Sequence, residues 1–310
     1  MTPTARGLLL FLIAFVCLAA DRAVAQNGFD LSNATIPRDE LLPGGPPRNG
    51  IPAIDQPQFV EASKVDFLRD DDRVLSVKID NEVRAYPLRI LNWHEIVNDQ
   101  IGDHAIAVTY CPLAGAGIIF DRRVAGRTLS FAVSGLLYQS DLVMYDRETE
   151  SLWPQIAMKA VSGPQAGVEL RWMPSENTTW RAWREAHPDG KILSTRTGYS
   201  RDYSEDVYGS YERSTETKFP ASWGRTELPK KSWVIGTIIN GQAKAYALDE
   251  FKKQPRVQDN VAGQQIEIAY DPVTRGAQIV EKQKGASVPF TMAYWFAWQA
   301  FYPKTELFGH

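Results

Sequence analysis

The stretches "VLSVKIDNEVRAYPL" (74–88) and "VIGTIINGQAKAYAL" (234–248) lie 160 positions apart and read alike. The register continues without a gap: "VNDQIGDHAIAVTYCPL" (97–113) aligns with "VQDNVAGQQIEIAYDPV" (257–273) at the same offset. Ten of the 40 positions from Val74 to Leu113 are identical, among them Ala85/Ala245, Tyr86/Tyr246, Asp99/Asp259, Tyr110/Tyr270 and Pro112/Pro272. Chance would supply roughly two or three, so the spacing indicates an internal repeat.

Each copy carries the marks of a hairpin. "DN" (80–81) and "NG" (240–241) are turn pairs set between β-branched runs. "LRILNWHEIVND" (88–99) spaces Leu88, Leu91 and Ile96 near a helical period. "HAIAVTY" (104–110) and "QIEIAY" (265–270) read as strands, and "GIIFDR", "TLSFAVSG" and "DLVMYDRE" add three more to the first copy. The expected fold class is α+β: mainly antiparallel β-sheet with short helices, built from two divergent internal repeats.

Repeat 1 is expected over about 66–165, a connecting helix and loop over 166–217, and repeat 2 over about 226–302, within a single domain 58–310. Residues 26–57 ("LLPGGPPRNGIPAIDQP" at their end) are rich in turn formers and predict an extended N-terminal arm. In the connection, "PSENTTWRAWREAHPDG" (174–190) predicts a capped helix stopped at His187 by Pro188. "TGYSRDYSEDVYGSYERS" reads as a surface loop or as a loop draped over a site. "MAYWFAWQAFYP" sets Trp295, Trp298 and Phe301 at helical spacing, which predicts core.

The chain opens with Arg6, an apolar stretch from Gly7 to Ala20, and Ala23-Val24-Ala25 before Gln26. This is the pattern of a secretory signal peptide over residues 1–25, with cleavage near Ala25, and it predicts a periplasmic or secreted protein. The apolar stretch is too short to span a bilayer, so no stable membrane insertion is expected. A formal net charge of −3 without a basic stripe argues against a nucleic-acid partner. Of the two cysteines, Cys17 lies in the apolar stretch, so the mature chain keeps Cys111 alone and has no internal disulfide.

Residues that serve the fold should persist in both copies, while residues that serve chemistry can survive in one. His94 faces Gln254 and Cys111 faces Asp271, so the first copy is the candidate site. Pro112 holds Cys111 extended at a strand end. Gly115 and Gly117 permit a tight turn whose amides can face an anion. The stretch "SGLLYQSDLVMYDRETESLWPQ" contributes Tyr138, Ser140, Asp141, Trp153 and Gln155 as candidate lining residues.

"RAYPLRILNWHEIVND", "VTYCPLAGAGIIFDR", the stretch just quoted and the terminal "WFAWQAFYPKTEL" resemble the bacterial family called domain of unknown function 3179, over about residues 50 to 307. In that family the thiol motif is often CPLCG or CPLTG. Cys111 matches its first cysteine and Ala114 stands at the second position. The resemblance implies no assigned activity. A CxxC redox pair or metal clasp is excluded here for lack of the second thiol.

Three functions fit these residues. The first is a metal-binding protein holding copper or zinc through Cys111, His94, Glu95 and Asp141. The second is an enzyme with Cys111 as nucleophile, His94 as its base and the 114–117 amides as an oxyanion cradle. The third is a non-catalytic domain that binds a glycan or another small-molecule ligand on its Tyr and Trp side chains. The first two expect His94 within direct reach of Cys111, in a cleft open to solvent.

Overall fold

The structure, a computed structural model, describes residues 25–310. The signal-peptide reading falls on residues 1–25 and lies essentially outside them. The chain forms several mainly antiparallel sheets with four short α-helices among the described residues, an α+β architecture.

Alternating apolar residues build a first hairpin from Arg73–Ile79 and Glu82–Pro87, with Ile79 opposite Glu82 across the two-residue turn. Helix α1 (Leu88–His94) follows and buries Leu88, Ile90 and Leu91. A three-stranded meander then runs through Ile96–Ile101, His104–Cys111 and Ala116–Asp121. The helical spacing seen over 88–99 therefore stops at His94. Glu95 takes a left-handed conformation (φ 58°) that ends the helix, and the β-branched Ile96 and Val97 enter the sheet.

The same order recurs 160 residues later. A second hairpin, Trp233–Ile239 with Gln242–Ala247, leads through a 3₁₀ turn (Leu248–Lys252) to a meander of Arg256–Val261, Gln264–Asp271 and Gly276–Glu281. Register partners match position for position: Ile79↔Glu82 and Ile239↔Gln242, Ile101↔His104 and Val261↔Gln264, Cys111↔Ala116 and Asp271↔Gly276. Tyr86 donates to Asp99 Oδ2 at 2.6 Å, and Tyr246 to Asp259 Oδ2 at 2.8 Å. These buried phenol–carboxylate bonds tie each hairpin to its own meander.

Each hairpin gains two further strands with a helix between them. Glu176–Thr179, α2 (Trp180–Ala186) and Lys191–Leu193 flank the first, and Thr291–Tyr294, α4 (Trp295–Phe301) and Glu306–Leu307 flank the second. Trp183 covers the first hairpin and donates to Ser76 Oγ at 2.7 Å. Trp298 lies so close over Gly236 that a Cβ there would come within 2.5 Å of its ring. Ser76 and Gly236 occupy corresponding positions.

The two halves exchange contacts across the middle of the molecule. Asn177, beside the first hairpin, bridges Ala277 of the second meander, so the larger sheet has eight strands. Reciprocally, Tyr294 N donates to Ala114 O at 2.9 Å and Thr291 Oγ1 to Gly117 O at 3.0 Å, placing the second hairpin's flank against the first meander. Thr179 N bonds Thr274 O at 2.9 Å, the counterpart of the Tyr294–Ala114 bond. The 26–57 segment lies against this body: Leu41–Pro43 pairs with Phe131–Tyr138, and Ile54 bridges Val97.

Candidate functional site

Cys111 is the last residue of its strand, and Pro112 turns the chain away. The turn closes through Gly115 (φ 67°), where a Cβ would meet the Trp233 ring at 2.6 Å, so glycine is needed for both conformation and space. The backbone N–H groups of Ala114 and Leu142 face the sulfur. The turn amide expected to cradle a substrate oxyanion thus already serves the thiol.

Two carboxyl groups stand beside the thiol. Glu95 arrives through its left-handed cap: its N–H bonds Leu91 O at 2.7 Å, and its C=O accepts from Tyr110 N at 2.8 Å, one residue before Cys111. Asp141 arrives through the hairpin Phe131–Tyr138/Asp141–Asp146, whose two turn residues Gln139 (φ 54°) and Ser140 (φ 63°) are both left-handed without being glycine. Both carboxyl groups thus follow a left-handed backbone position, Glu95 at its own cap and Asp141 directly after the 139–140 turn.

The cluster is sealed. Cys111 is 1% exposed, Asp141 0% and Glu95 7%, so the open cleft expected from the sequence is not what the fold builds. Burial governs the electrostatics. It pushes the Glu95 carboxyl up to about 8, helped by the Asp141 charge, and no hydrogen bond offsets the cost. Burial likewise pushes Asp141 up to about 7, against the Ile156 N–H, the Cys111 thiol and the Leu142 and Gln155 N–H groups, which favour the carboxylate. The thiol itself is driven well above its ordinary value, by burial first and then by the charges of Asp141 and Glu95. At neutral pH the sulfur is a neutral thiol beside the Asp141 carboxyl.

His94 does not join this cluster, which corrects the expected Cys111–His94 pair. Its Nδ1 donates to Pro52 O at 2.7 Å, which leaves Nε2 to accept from the Tyr203 hydroxyl, also at 2.7 Å. Thr197 Oγ1 completes the chain at 2.5 Å from Tyr203. Both ring nitrogens are therefore committed to pinning the arm and the 195–203 segment onto α1. The neighbouring residue, Glu95, takes the place beside the thiol. Among the described residues no group of three or more His, Cys, Asp and Glu side chains is placed to hold a metal ion. The set Cys111, His94, Glu95 and Asp141 thus does not form the copper or zinc centre expected of it.

The other candidate residues divide. Gln155 is fully buried below the site, where Nε2 donates to Thr109 Oγ1 at 2.7 Å and to Ala116 O at 3.2 Å. Ser140 is buried with its hydroxyl unpartnered. Trp153 is core: it packs edge-on to Phe131 at 5.9 Å and donates to Asp146 at 2.9 Å. Tyr138 packs its ring edge-on to Phe301, and Gly117 offers its carbonyl to Thr291.

The cover comes from the segment read from sequence as a surface loop or a loop draped over a site, though no residue in it was singled out. Tyr208, just before helix α3 (Gly209–Arg213), and Tyr211, on it, pack against the core that contains Cys111. Tyr211 donates its hydroxyl to Leu113 O at 2.7 Å, two residues past the thiol. Lys231 bonds the Tyr211 carbonyl and holds its ammonium 3.7 Å from the Tyr211 ring centroid. Tyr302, from the end of α4, bonds Ile156 O at 2.6 Å and feels the Asp141 charge. The density of tyrosines in "YSEDVYGSYERS" was the available signal.

A family model described as "Protein of unknown function (DUF3179)" matches residues 48–292. The chain belongs to this family. No curated protein and no solved structure matches it. In this DUF3179 protein the matched stretch contains Cys111, Glu95, Asp141, Tyr208 and Tyr211, while the whole of α4 and Tyr302 fall beyond it.

Proposed function

We propose that this DUF3179 protein is a cysteine-dependent enzyme in which Cys111 is the nucleophile, Asp141 its base and Glu95 the acid. One observation carries the reading: a thiol and two carboxyl groups are buried together with no cation to compensate them. Apolar residues of the same size would stabilise the fold better, and such clusters occur where chemistry requires them. Asp141, near 7, suits a base at neutral pH, and Glu95, near 8, stays protonated to act as an acid. As the sulfur attacks an electrophilic carbon, its proton passes to Asp141. The Ala114 and Leu142 N–H groups stabilise the developing thiolate, and Glu95 protonates the leaving group.

Iodoacetamide labelling of Cys111, followed by mass spectrometry across pH 5 to 9, tests this. The rate should rise with an apparent pKa near 7, and Asp141→Asn should remove that inflection and slow labelling by about 100-fold at neutral pH. A thiol labelled only as fast as the whole protein unfolds would sink the proposal.

Two further readings accompany it. Equal registers at an offset of 160 support an origin by duplication, after which the second copy carries Asp271 and Pro255 where the first has Cys111 and Glu95. The opening segment supports export to the periplasm or beyond. The intact mass of protein recovered from the producing cells should correspond to a chain beginning at Gln26, and a mass retaining residues 1–25 would contradict export with cleavage.

A further inference from the structure

Three polar atoms around the thiol have no hydrogen-bond partner although fully enclosed: Asp141 Oδ1, Ser140 Oγ and Gln155 Oε1. Gln155 cannot be flipped to relieve this. Thr109 Oγ1 donates its proton to Ile118 O at 2.7 Å, so it can only accept from Gln155, which fixes Nε2 toward Thr109 and Oε1 as the free atom. Asp141 Oδ2 is occupied by Ile156 N at 2.9 Å, and Oδ1 has no N–H or O–H donor, only the weak S–H of Cys111 facing the carboxyl. Glu95 adds a second carboxyl group with no hydrogen-bond donor. Two donors there are also unpartnered among the described residues, the Ser140 hydroxyl and Trp295 Nε1. The acceptor oxygens of Asp141, Gln155 and Glu95 outnumber them, and unmade hydrogen bonds to buried groups are costly.

The charge pattern points the same way. Among the described residues neither carboxyl is ion-paired with a lysine or arginine. Lys231 and Arg225 lie instead on ring faces, Lys231 on Tyr211 and Arg225 at 5.0 Å from the Trp295 ring. Resting on the cysteine-enzyme reading above, we infer that the substrate is a small organic cation rich in N–H donors, an amidinium or guanidinium. Such a group supplies the missing counter-charge and gives a carboxylate two parallel N–H bonds. Its planar face also suits the surrounding Tyr208, Tyr211 and Trp295 rings. An anion would meet two carboxyl groups, and a neutral amide would leave the Asp141 carboxylate without a counter-charge. Entry requires the Tyr208–Tyr211 segment to lift from Leu113.

A matched pair of alkylating reagents tests this on the wild-type protein. 2-Chloroacetamidine is cationic, and 2-chloroacetamide is its neutral analogue. In both, the Cys111 sulfur forms the S–C bond, chloride leaves with the C–Cl pair, and the thiol proton goes to Asp141. With rates normalised to those of free cysteine, the amidine should label Cys111 about tenfold or more faster than the amide, the worth of a charge-assisted bond. At about pH 8.5, where Glu95 is ionised, Glu95→Gln should lower the ratio several-fold, and Cys111→Ser confirms where the label sits. Equal normalised rates in the wild type overturn the cation inference and leave the nucleophile reading standing. If neither reagent reaches Cys111 faster than global unfolding exposes it, both fall.

Discussion

Replacing Glu95 with Gln and Asp141 with Asn will stabilise the protein at about pH 8.5 and leave its stability at about pH 4 nearly unchanged. The sign follows from burial. Glu95 rises from 4.5 to about 8 and Asp141 from 3.8 to about 7 on folding, so between these limits the unfolded chain gives up protons that the folded chain keeps. Native stability is therefore full below the unfolded values and falls as the pH climbs toward 8. Every tenfold change in proton affinity between the unfolded and folded chain is worth about 1.4 kcal/mol, which sets a ceiling of about 4 to 5 kcal/mol for either group. The two effects are not additive, because the Asp141 charge is itself a cause of the raised Glu95 value. At 2 to 4 °C per kcal/mol, the double variant should melt roughly 10 °C above wild type at alkaline pH. Melting curves that run parallel from acid to alkaline pH would show that the carboxyls are not held protonated.

The second large effect should come from Gly115→Ala. Its φ of 67° is unfavourable for alanine, and the new methyl would sit 2.6 and 2.8 Å from two atoms of the Trp233 ring. Left-handed strain of about 1 to 2 kcal/mol adds to overpacking of about 1 to 3 kcal/mol, so denaturant titration should register a loss of about 2 to 5 kcal/mol. Arg275 supplies the control. It holds the same turn position in the other half with φ 52°, on a half-exposed turn, and Arg275→Gly should change stability by less than about 1 kcal/mol. If both substitutions cost the same, the close approach of Trp233 is not what requires glycine.

Much of the scaffold was legible because strand alternation and two-residue turns are local signals. The hairpins at 80–81 and 240–241, the strand ending at Cys111 and the tryptophan-bearing terminal helix all lie where pattern and turn chemistry place them. The site was legible only as a list. Cys111, Glu95 and Asp141 were named, but His94 was preferred over Glu95 as the partner of the thiol. The two are adjacent in sequence, and successive helical residues point about 100° apart. The left-handed cap at Glu95 then redirects the chain, which no periodicity records. One longer pattern was present and unread: Trp180-x-Ala182-Trp183 before Pro188 matches Trp295-x-Ala297-Trp298 before Pro303, and both segments form the helix packed on a hairpin. Its offset differs from 160, so a search at one fixed spacing passes over it. The covering tyrosines come from the irregular segment, whose path is set by contacts far away in sequence.

The reciprocal contacts between the halves also fix an order of events as the chain folds. Cys111 lies in the first half, yet the turn that follows it is closed by Tyr294 and its ring neighbours near the far end of the chain. Pairings this distant are slow to form, because the loop between them must first be closed. An emerging chain can complete the first hairpin and meander early, but its thiol and two carboxyls stay in water until the last strand and helix arrive. Their unusual proton affinities therefore do not exist in any partly folded species. The thiol and the two carboxyls acquire them together, in the step that finishes the molecule.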